Sequence, residues 1–396
     1  MRIALFTEMY LNAINGVVTH VRALARGLRS MGHEVLIVTA DASAGYHYLK
    51  DGVLHCPALR VRRIYGYGAA LPISSQRLAL IRSFDPDIIH IHTEMGVGLS
   101  GLAAAKLLRK PLVYTLHTMY DNYIYYISPR PFIRAATYFS HKYLKLLAKS
   151  ANALIGPSRK CEEFFHTLGV EKAVTVIRNP VEMEIFTPLA APAEEERAFR
   201  TAHTLTPSAM LTCFVGRLGS EKNVDTLIRF WQEAVRPEDD ICLLIIGDGP
   251  ALPDLQNLAR QCGVTDRVIF VGKVEHEKLP FYYRLCKAYI TASLTDTDSI
   301  SLLEGMATGL PALQLYDQLN EDRVRDGENG FVFKTAAEMG EKLRLVRDMT
   351  TDAYTRMRDI VLGAADEVRA DNVAANVLRI YQQCLFDSGR KRKRAK

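Results

Sequence analysis

Apolar positions in this chain gather into short runs separated by longer stretches of helical period, and the alternation repeats from one end to the other. In the first half the runs at residues 2–6, 34–39, 88–92, 112–116, 153–156 and 174–177 read as strands, while residues 17–31 and 133–150 carry apolar side chains at helical spacing. A second series of runs follows at 211–216, 241–247, 267–271, 288–291, 311–314 and 330–333. Near-continuous apolar strands joined by helices predict a parallel sheet covered on both faces, because such strands have no polar side to turn to water. The fold expected is α/β, with two Rossmann-like domains facing across a cleft. Asn179-Pro180 and the Ala-, Pro- and Glu-rich stretch 189–196 mark the join. This gives a first domain at 1–185 and a second at 200–370. An amphipathic segment at 371–389, most regular over 374–385, is expected to pack back on the first domain, ahead of a basic tail at 390–396.

Composition narrows the class. The chain has 396 residues, 48% hydrophobic and 24% charged, which is globular and ample for two cores. It has no run of eighteen apolar residues, and the opening apolar run is too short for a signal peptide, so the expected location is cytoplasmic. Seven cysteines, an odd number without a Cys-x-x-Cys pair, read as reduced core residues. The net charge of +6 is unevenly spread: residues 1–180 hold 22 Lys and Arg against 11 Asp and Glu, and the remainder 28 against 33. A basic first half and the cationic tail point to an anionic surface. No nucleic-acid recognition motif accompanies the charge, so a lipid surface fits better than nucleic acid.

Candidate chemistry concentrates at the ends of strands in the second half. Asp296 and Glu304 stand eight positions apart across a strand-to-helix junction, the place where an open α/β sheet holds ligands and where a helix aims its N–H groups at anions. Taken alone, that spacing also allows a metal site or an acid/base pair. Gly216-Arg217-Leu218-Gly219-Ser220-Glu221-Lys222-Asn223 follows the first strand of this half, so Arg217 and Lys222 reach a neighbouring strand end. A planar guanidinium and a mobile ammonium together suit a diphosphate and the charge that grows on it as it departs. A solvated basic loop is the plain alternative for the octapeptide. A phosphate clamp and a sugar-holding pair of carboxylates are parts of one task, and their company favours the clamp.

These segments, with Gly247-Asp248-Gly249-Pro250, Phe270-Val271-Gly272 and Gly305-Met306-Ala307-Thr308-Gly309-Leu310-Pro311, resemble the retaining glycosyltransferases of family four, which have the two-domain GT-B fold. The likeness covers nearly the whole chain. Within the family, Leu116-His117-Thr118-Met119-Tyr120-Asp121-Asn122-Tyr123 is most similar to enzymes that put glucose on diacylglycerol. The resemblance implies a hexose moved from a sugar nucleotide, UDP-glucose in this reading, to a membrane lipid. It assigns Arg217 and Lys222 to the diphosphate, Glu304 to the ribose and Asp296 to hexose hydroxyls. The N–H groups around Ser299, Ile300, Ser301 and Leu302 help the phosphates, Gly16 lets backbone approach them, and the base rests near Val274. His117 orients the transferring sugar; His90 and His92 read as structural. No cofactor or metal is required, since the sugar nucleotide is a substrate and the two cations supply the charge that the Asp296-Thr297-Asp298 pattern would otherwise recruit a metal for.

The chain departs from its relatives in carrying Asp296 where Glu is usual and Asp298-Ser299 where Gln-Gly or Phe-Gly is usual. Those changes bear on donor choice or on loss of activity. Residues 130–149 interleave aromatics and cations at helical spacing, and read equally as a helix lying on an anionic bilayer or a core helix with a solvated face. Tyr120, Tyr123, Arg130, Arg134, Lys142 and Lys145 are the acceptor or membrane candidates, which would make the protein peripheral on the inner face of the cell membrane. Two other functions stay open: a transferase acting on a soluble sugar or polysaccharide, and a silent GT-B protein that binds a sugar nucleotide or membrane.

Overall fold

The computed structural model describes residues 1–10, 15–61, 67–119, 132–320 and 323–394. The chain forms two compact units, Met1–Pro180 with Ala370–Lys396, and Val181–Arg369.

The first unit is built on nine strands: β1 Arg2–Thr7, β2 Glu34–Asp41, β3 Tyr48–Lys50, β4 Val53–Val61, β5 Tyr67–Ala70, β6 Ile88–Ile91, β7 Leu112–Thr115, β8 Ala153–Gly156 and β9 Val174–Val176. Their order is β3-β4-β2-β1-β6-β7-β8-β9, with β5 on β4. All pairs are parallel except β3 with β4 and β4 with β5. Residues such as Ile3, Phe6, Ile37, Ile89 and Val113 are fully buried, as strands covered on both faces require. The closing helix Ala370–Arg394 belongs to this unit and lies along the helix Gly16–Ser30. Tyr381 on the closing helix is completely buried, its hydroxyl 2.6 Å from His90 Nδ1. Close approach of the two helices is possible because position 27 is glycine: a Cβ there would stand 2.7 Å from that of Ala374.

The second unit has six parallel strands: β10 Met210–Val215, β11 Ile241–Ile246, β12 Val268–Gly272, β13 Ala288–Thr291, β14 Ala312–Leu315 and β15 Gly330–Phe333. Their order is β12-β11-β10-β13-β14-β15. After β10 the chain builds outward through β11 and β12, then returns to lay β13 on the other side of β10. The crevice at the carboxyl ends of β10 and β13 is therefore the switch point at which open α/β sheets bind ligands. In the first unit the same reversal falls between β1 and β6. Crowding at the second unit's crevice is severe, since a Cβ on Gly247 would stand 1.9 Å from the Gly216 carbonyl oxygen at φ +141°.

Candidate active site

In the second unit the loops leaving β10 and β13 are knitted together. The turn Ser220–Lys222 ends at Asn223 in the left-handed region, φ +51°, and Asn223 Nδ2 donates to the Ala292 carbonyl at 3.3 Å. Thr295 Oγ1 donates to the Glu221 carbonyl at 3.0 Å. Through these ties Lys222 Nζ meets Asp296 Oδ1 as an ion pair, both side chains more than four-fifths buried. Arg217 pairs with the buried Glu221 four residues on and keeps 31% of its side chain exposed. Two cations thus stand at one strand end, each held by a carboxylate.

Glu304 lies inside the helix Ile300–Ala307, about one turn from its start, and is 4% exposed. One carboxylate oxygen is 2.7 Å from His276 Nε2, and the other accepts from the Tyr283 hydroxyl at 3.1 Å. Burial and the neighbouring Glu304 charge hold the Tyr283 phenol well above its ordinary pKa, so it remains a donor. Ser299 caps the same helix, its Oγ accepting the Leu302 N–H at 3.4 Å. Of the N–H groups assigned to phosphates by resemblance, that of Leu302 therefore already has a partner in the chain. Ser299 Oγ also lies 3.2 Å from Ser301 Oγ, which lies 2.9 Å from the Tyr289 hydroxyl. Val274 follows β12 and the positive-φ Gly272, beyond which the turn His276–Lys278 carries the histidine that meets Glu304.

The Asp296-Thr297-Asp298 carboxylates both have cationic partners, Lys222 for the first and Arg323 for the second. Arg323 reaches Asp298 Oδ1 through Nη2 and, at 3.1 Å, through Nε. The sequence pattern did not single out Arg323, His276 or Tyr283. Their partners are 21 to 28 positions away, a separation that only the fold brings together.

In the first unit the ends of β6 and β7 meet the start of the helix Gly16–Ser30, which Asn15 caps by accepting the Val18 N–H at 3.0 Å. His117, half-buried beyond β7, has Nε2 3.0 Å from His92 Nδ1. His20, on the helix opened by Gly16, packs its ring 4.5 Å from that of His117 and has Nδ1 2.9 Å from Asn179 Oδ1. His90 is a packing residue, 2.7 Å from Thr115 Oγ1 and held by Tyr381. His92, which the strand pattern reads in the same way, is buried and joined to His117. Removal from water pushes His20 down to about 4 and holds His92 and His117 well below the ordinary imidazole value. At physiological pH these rings are therefore neutral. Among the described residues, His20, His92 and His117 form the group that could hold a metal ion, their ligand atoms lying within 4.8 Å of one another. The Nε2 atoms of His20 and His92 have no hydrogen-bond partner among the described residues.

The helix Ile133–Ser150 carries Arg134, Lys142 and Lys145, and its buried residues, Leu144, Leu147 and Ala148, all fall in its second half. Before them, Tyr138 and Phe139 are 55% and 68% exposed, with Lys142 Nζ 4.5 Å from the Tyr138 ring centroid. The core-helix description thus fits only the second half. Tyr120, Tyr123 and Arg130 lie outside the described residues. Among the described residues, no helix is long and apolar enough to cross a membrane.

Two Rossmann-like units, each with polar groups gathered at its switch point, define the GT-B class, and the comparisons agree. Sucrose-phosphate synthase from Thermosynechococcus elongatus matches with a TM-score of 0.74 at 18% identity over 98% of this chain and 99% of its own. Anabaena HepE, solved in complex with UDP and glucose, matches with a TM-score of 0.71 at 15% identity over 97% and 100%. Residues 14–185 match the model of Glycosyltransferase Family 4 and residues 196–359 that of Glycosyl transferases group 1. An alpha-monoglucosyldiacylglycerol synthase from Acholeplasma laidlawii is 30% identical over 351 residues, 88% of each chain. A GDP-mannose-dependent alpha-mannosyltransferase from Corynebacterium glutamicum is 25% identical over 84% of this chain and 76% of its own. The protein belongs to glycosyltransferase family 4, and within it is similar to the diacylglycerol glucosyltransferases.

Proposed function

We propose that this chain moves glucose from UDP-glucose to diacylglycerol at an anionic membrane surface, with retention at the anomeric carbon. The observation that carries this is the 30% identity, over 88% of both chains, to an alpha-monoglucosyldiacylglycerol synthase.

Arg217 and Lys222 take the diphosphate. Lys222 is ion-paired with Asp296. A diphosphate drawing on the same ammonium leaves the Asp296 carboxylate able to accept from hexose hydroxyls. Glu304, fixed by His276 and Tyr283, accepts from the ribose, and backbone near Val274 receives the base. His117 orients the sugar through a neutral ring. The bond from the anomeric carbon to the phosphate oxygen breaks, that carbon bonds to the diacylglycerol hydroxyl on the same face, and the departing phosphate takes the hydroxyl proton. Arg217 and Lys222 stabilise the charge left on the nucleotide, so the step needs no metal. The exposed aromatic and cationic half of the helix Ile133–Ser150 rests on the bilayer, with Phe139 and Tyr138 at headgroup depth and Lys142 toward anionic lipid.

The test is a panel of UDP-, GDP- and ADP-hexoses offered with diacylglycerol in anionic vesicles and, separately, with soluble sugars. The expected result is lipid product from UDP-glucose that survives chelation of divalent metals and falls by roughly 100-fold or more in Asp296→Ala. Turnover confined to GDP-mannose, or to soluble acceptors regardless of vesicles, overturns the reading.

A further inference from the structure

Three histidines from three separate elements converge in the first unit: His20 on the helix Gly16–Ser30, His92 just beyond β6 and His117 just beyond β7. One ring nitrogen from each lies within 4.8 Å of those of the other two. His90, whose ring is 4.0 Å from that of His92, is satisfied, its two nitrogens taken by the Tyr381 hydroxyl at 2.6 Å and Thr115 Oγ1 at 2.7 Å. His20 and His92 are also buried, at 1% exposure, yet each leaves Nε2 without a hydrogen-bond partner among the described residues. Buried polar atoms are nearly always satisfied, so two orphans on rings 5.4 Å apart call for a ligand.

The group has what a metal site requires. His20 Nδ1 is 2.9 Å from Asn179 Oδ1, which only accepts, so Nδ1 carries the proton and Nε2 keeps the lone pair. A carbonyl on the far nitrogen is how ligating histidines are commonly held. Burial keeps all three rings neutral, as ligation demands. His117 is half-buried, which leaves the group open to solvent on its side. Nitrogen ligands in a zinc tetrahedron stand about 3.3 Å apart, so the rings draw in by up to roughly 1.5 Å, and the 3.0 Å bond between His92 and His117 is given up. Three imidazoles suit zinc, copper or nickel; magnesium and calcium want oxygen.

We propose that His20, His92 and His117 are the ligands of an inhibitory site for a transition-metal dication of the zinc class, and that the bound ion takes His117 away from the sugar. The inhibition rests on the role given to His117 above; the binding does not. The ion is no cofactor here, since it stops a transfer that proceeds without it.

Titration of the full chain with Co2+, followed by visible absorption and then displaced by Zn2+, tests binding without turnover. One ion per chain is expected, with the intense visible bands of a four-coordinate nitrogen site. Competition with a chromophoric chelator should show Zn2+ affinity lowered by about 100-fold in His20→Gln and in His92→Gln, and by about tenfold in Asn179→Ala, which removes no ligand. Melting curves report whether each variant folds, and any one that does decides the matter. In the transfer assay, Zn2+ at about ten times its Kd should cut lipid product from UDP-glucose about tenfold, and chelation should restore it. In His20→Gln the ratio of activity without and with Zn2+ should fall toward one. No stoichiometric ion, or an affinity unchanged in the folded variants, means adventitious surface binding only and overturns the site. Binding that leaves transfer unaffected overturns the inhibition. A chain that binds the ion through these histidines but transfers no glucose to lipid overturns the functional reading and the inhibition with it, and leaves the site standing.

Discussion

Glu8 shows what one buried side chain adds to this molecule. It follows β1 at the first unit's switch point and is 3% exposed; its carboxylate accepts the Val97 N–H at 2.9 Å and the Ala70 N–H at 3.4 Å. Burial outweighs those bonds and pushes it up from 4.5 to about 7. A raised carboxyl pKa means that the folded state binds the proton more tightly than the unfolded state. Its contribution to stability is therefore lost as pH rises from 4.5 through about 7. Glu8→Gln removes this dependence, with a gain at pH 8 relative to pH 4.5 of about 3 kcal/mol over wild type, read from denaturant unfolding at the two pH values. An unchanged slope contradicts the assignment. The histidines act with the opposite sign: His20, His90, His92 and His117, all depressed by burial, cost stability as pH falls below 6.5.

Secondary-structure elements were the legible part of the chain. The apolar runs at 153–156, 288–291 and 330–333 coincide with β8, β13 and β15, and the helical period at 133–150 with the helix Ile133–Ser150. Those segments are buried on both faces or carry a continuous period, so local pattern and tertiary demand agree. β3, β4 and β5 were not legible. β3 is three residues long, and β4, parallel to β2 and antiparallel to the short β3 and β5 toward the sheet edge, contains Pro57 and polar residues that break the apolar run. The closing helix is also longer than its amphipathic core implied, running through Arg394 into residues read as a tail. In the candidate site, the strand-end positions of Arg217, Lys222, Asp296 and Glu304 were legible from spacing. His20, His276 and Arg323 could not, since their contacts depend on loops converging at a switch point. Packing of the helices Gly16–Ser30 and Ala370–Arg394 gives a prediction at this scale. Gly27→Ala gains up to about 1 kcal/mol of helix propensity. It also drives a methyl group to 2.7 Å from Ala374 Cβ and 3.0 Å from the Ala370 carbonyl oxygen. Overpacking of this kind costs roughly 1–3 kcal/mol, so the variant is expected to melt lower. Adding Ala374→Gly should recover part of the loss; no recovery would show that the helices do not meet there.

For the whole molecule, the two matched family models fall one in each Rossmann-like series, at residues 14–185 and 196–359. The first half is also the basic one, with 22 Lys and Arg against 11 Asp and Glu over residues 1–180. It carries the half-exposed helix Ile133–Ser150, so charge and exposed aromatics coincide on the part proposed to meet lipid. The proposed reaction draws on that surface and on the proposed donor site in the second unit, and its product is the direct readout. Purified protein given UDP-α-glucose labelled in the sugar, with diacylglycerol in anionic vesicles, is predicted to place the label in a monoglucosyl lipid of α configuration. Label recovered only as free glucose or in water-soluble saccharide, or a lipid product of β configuration, would contradict it.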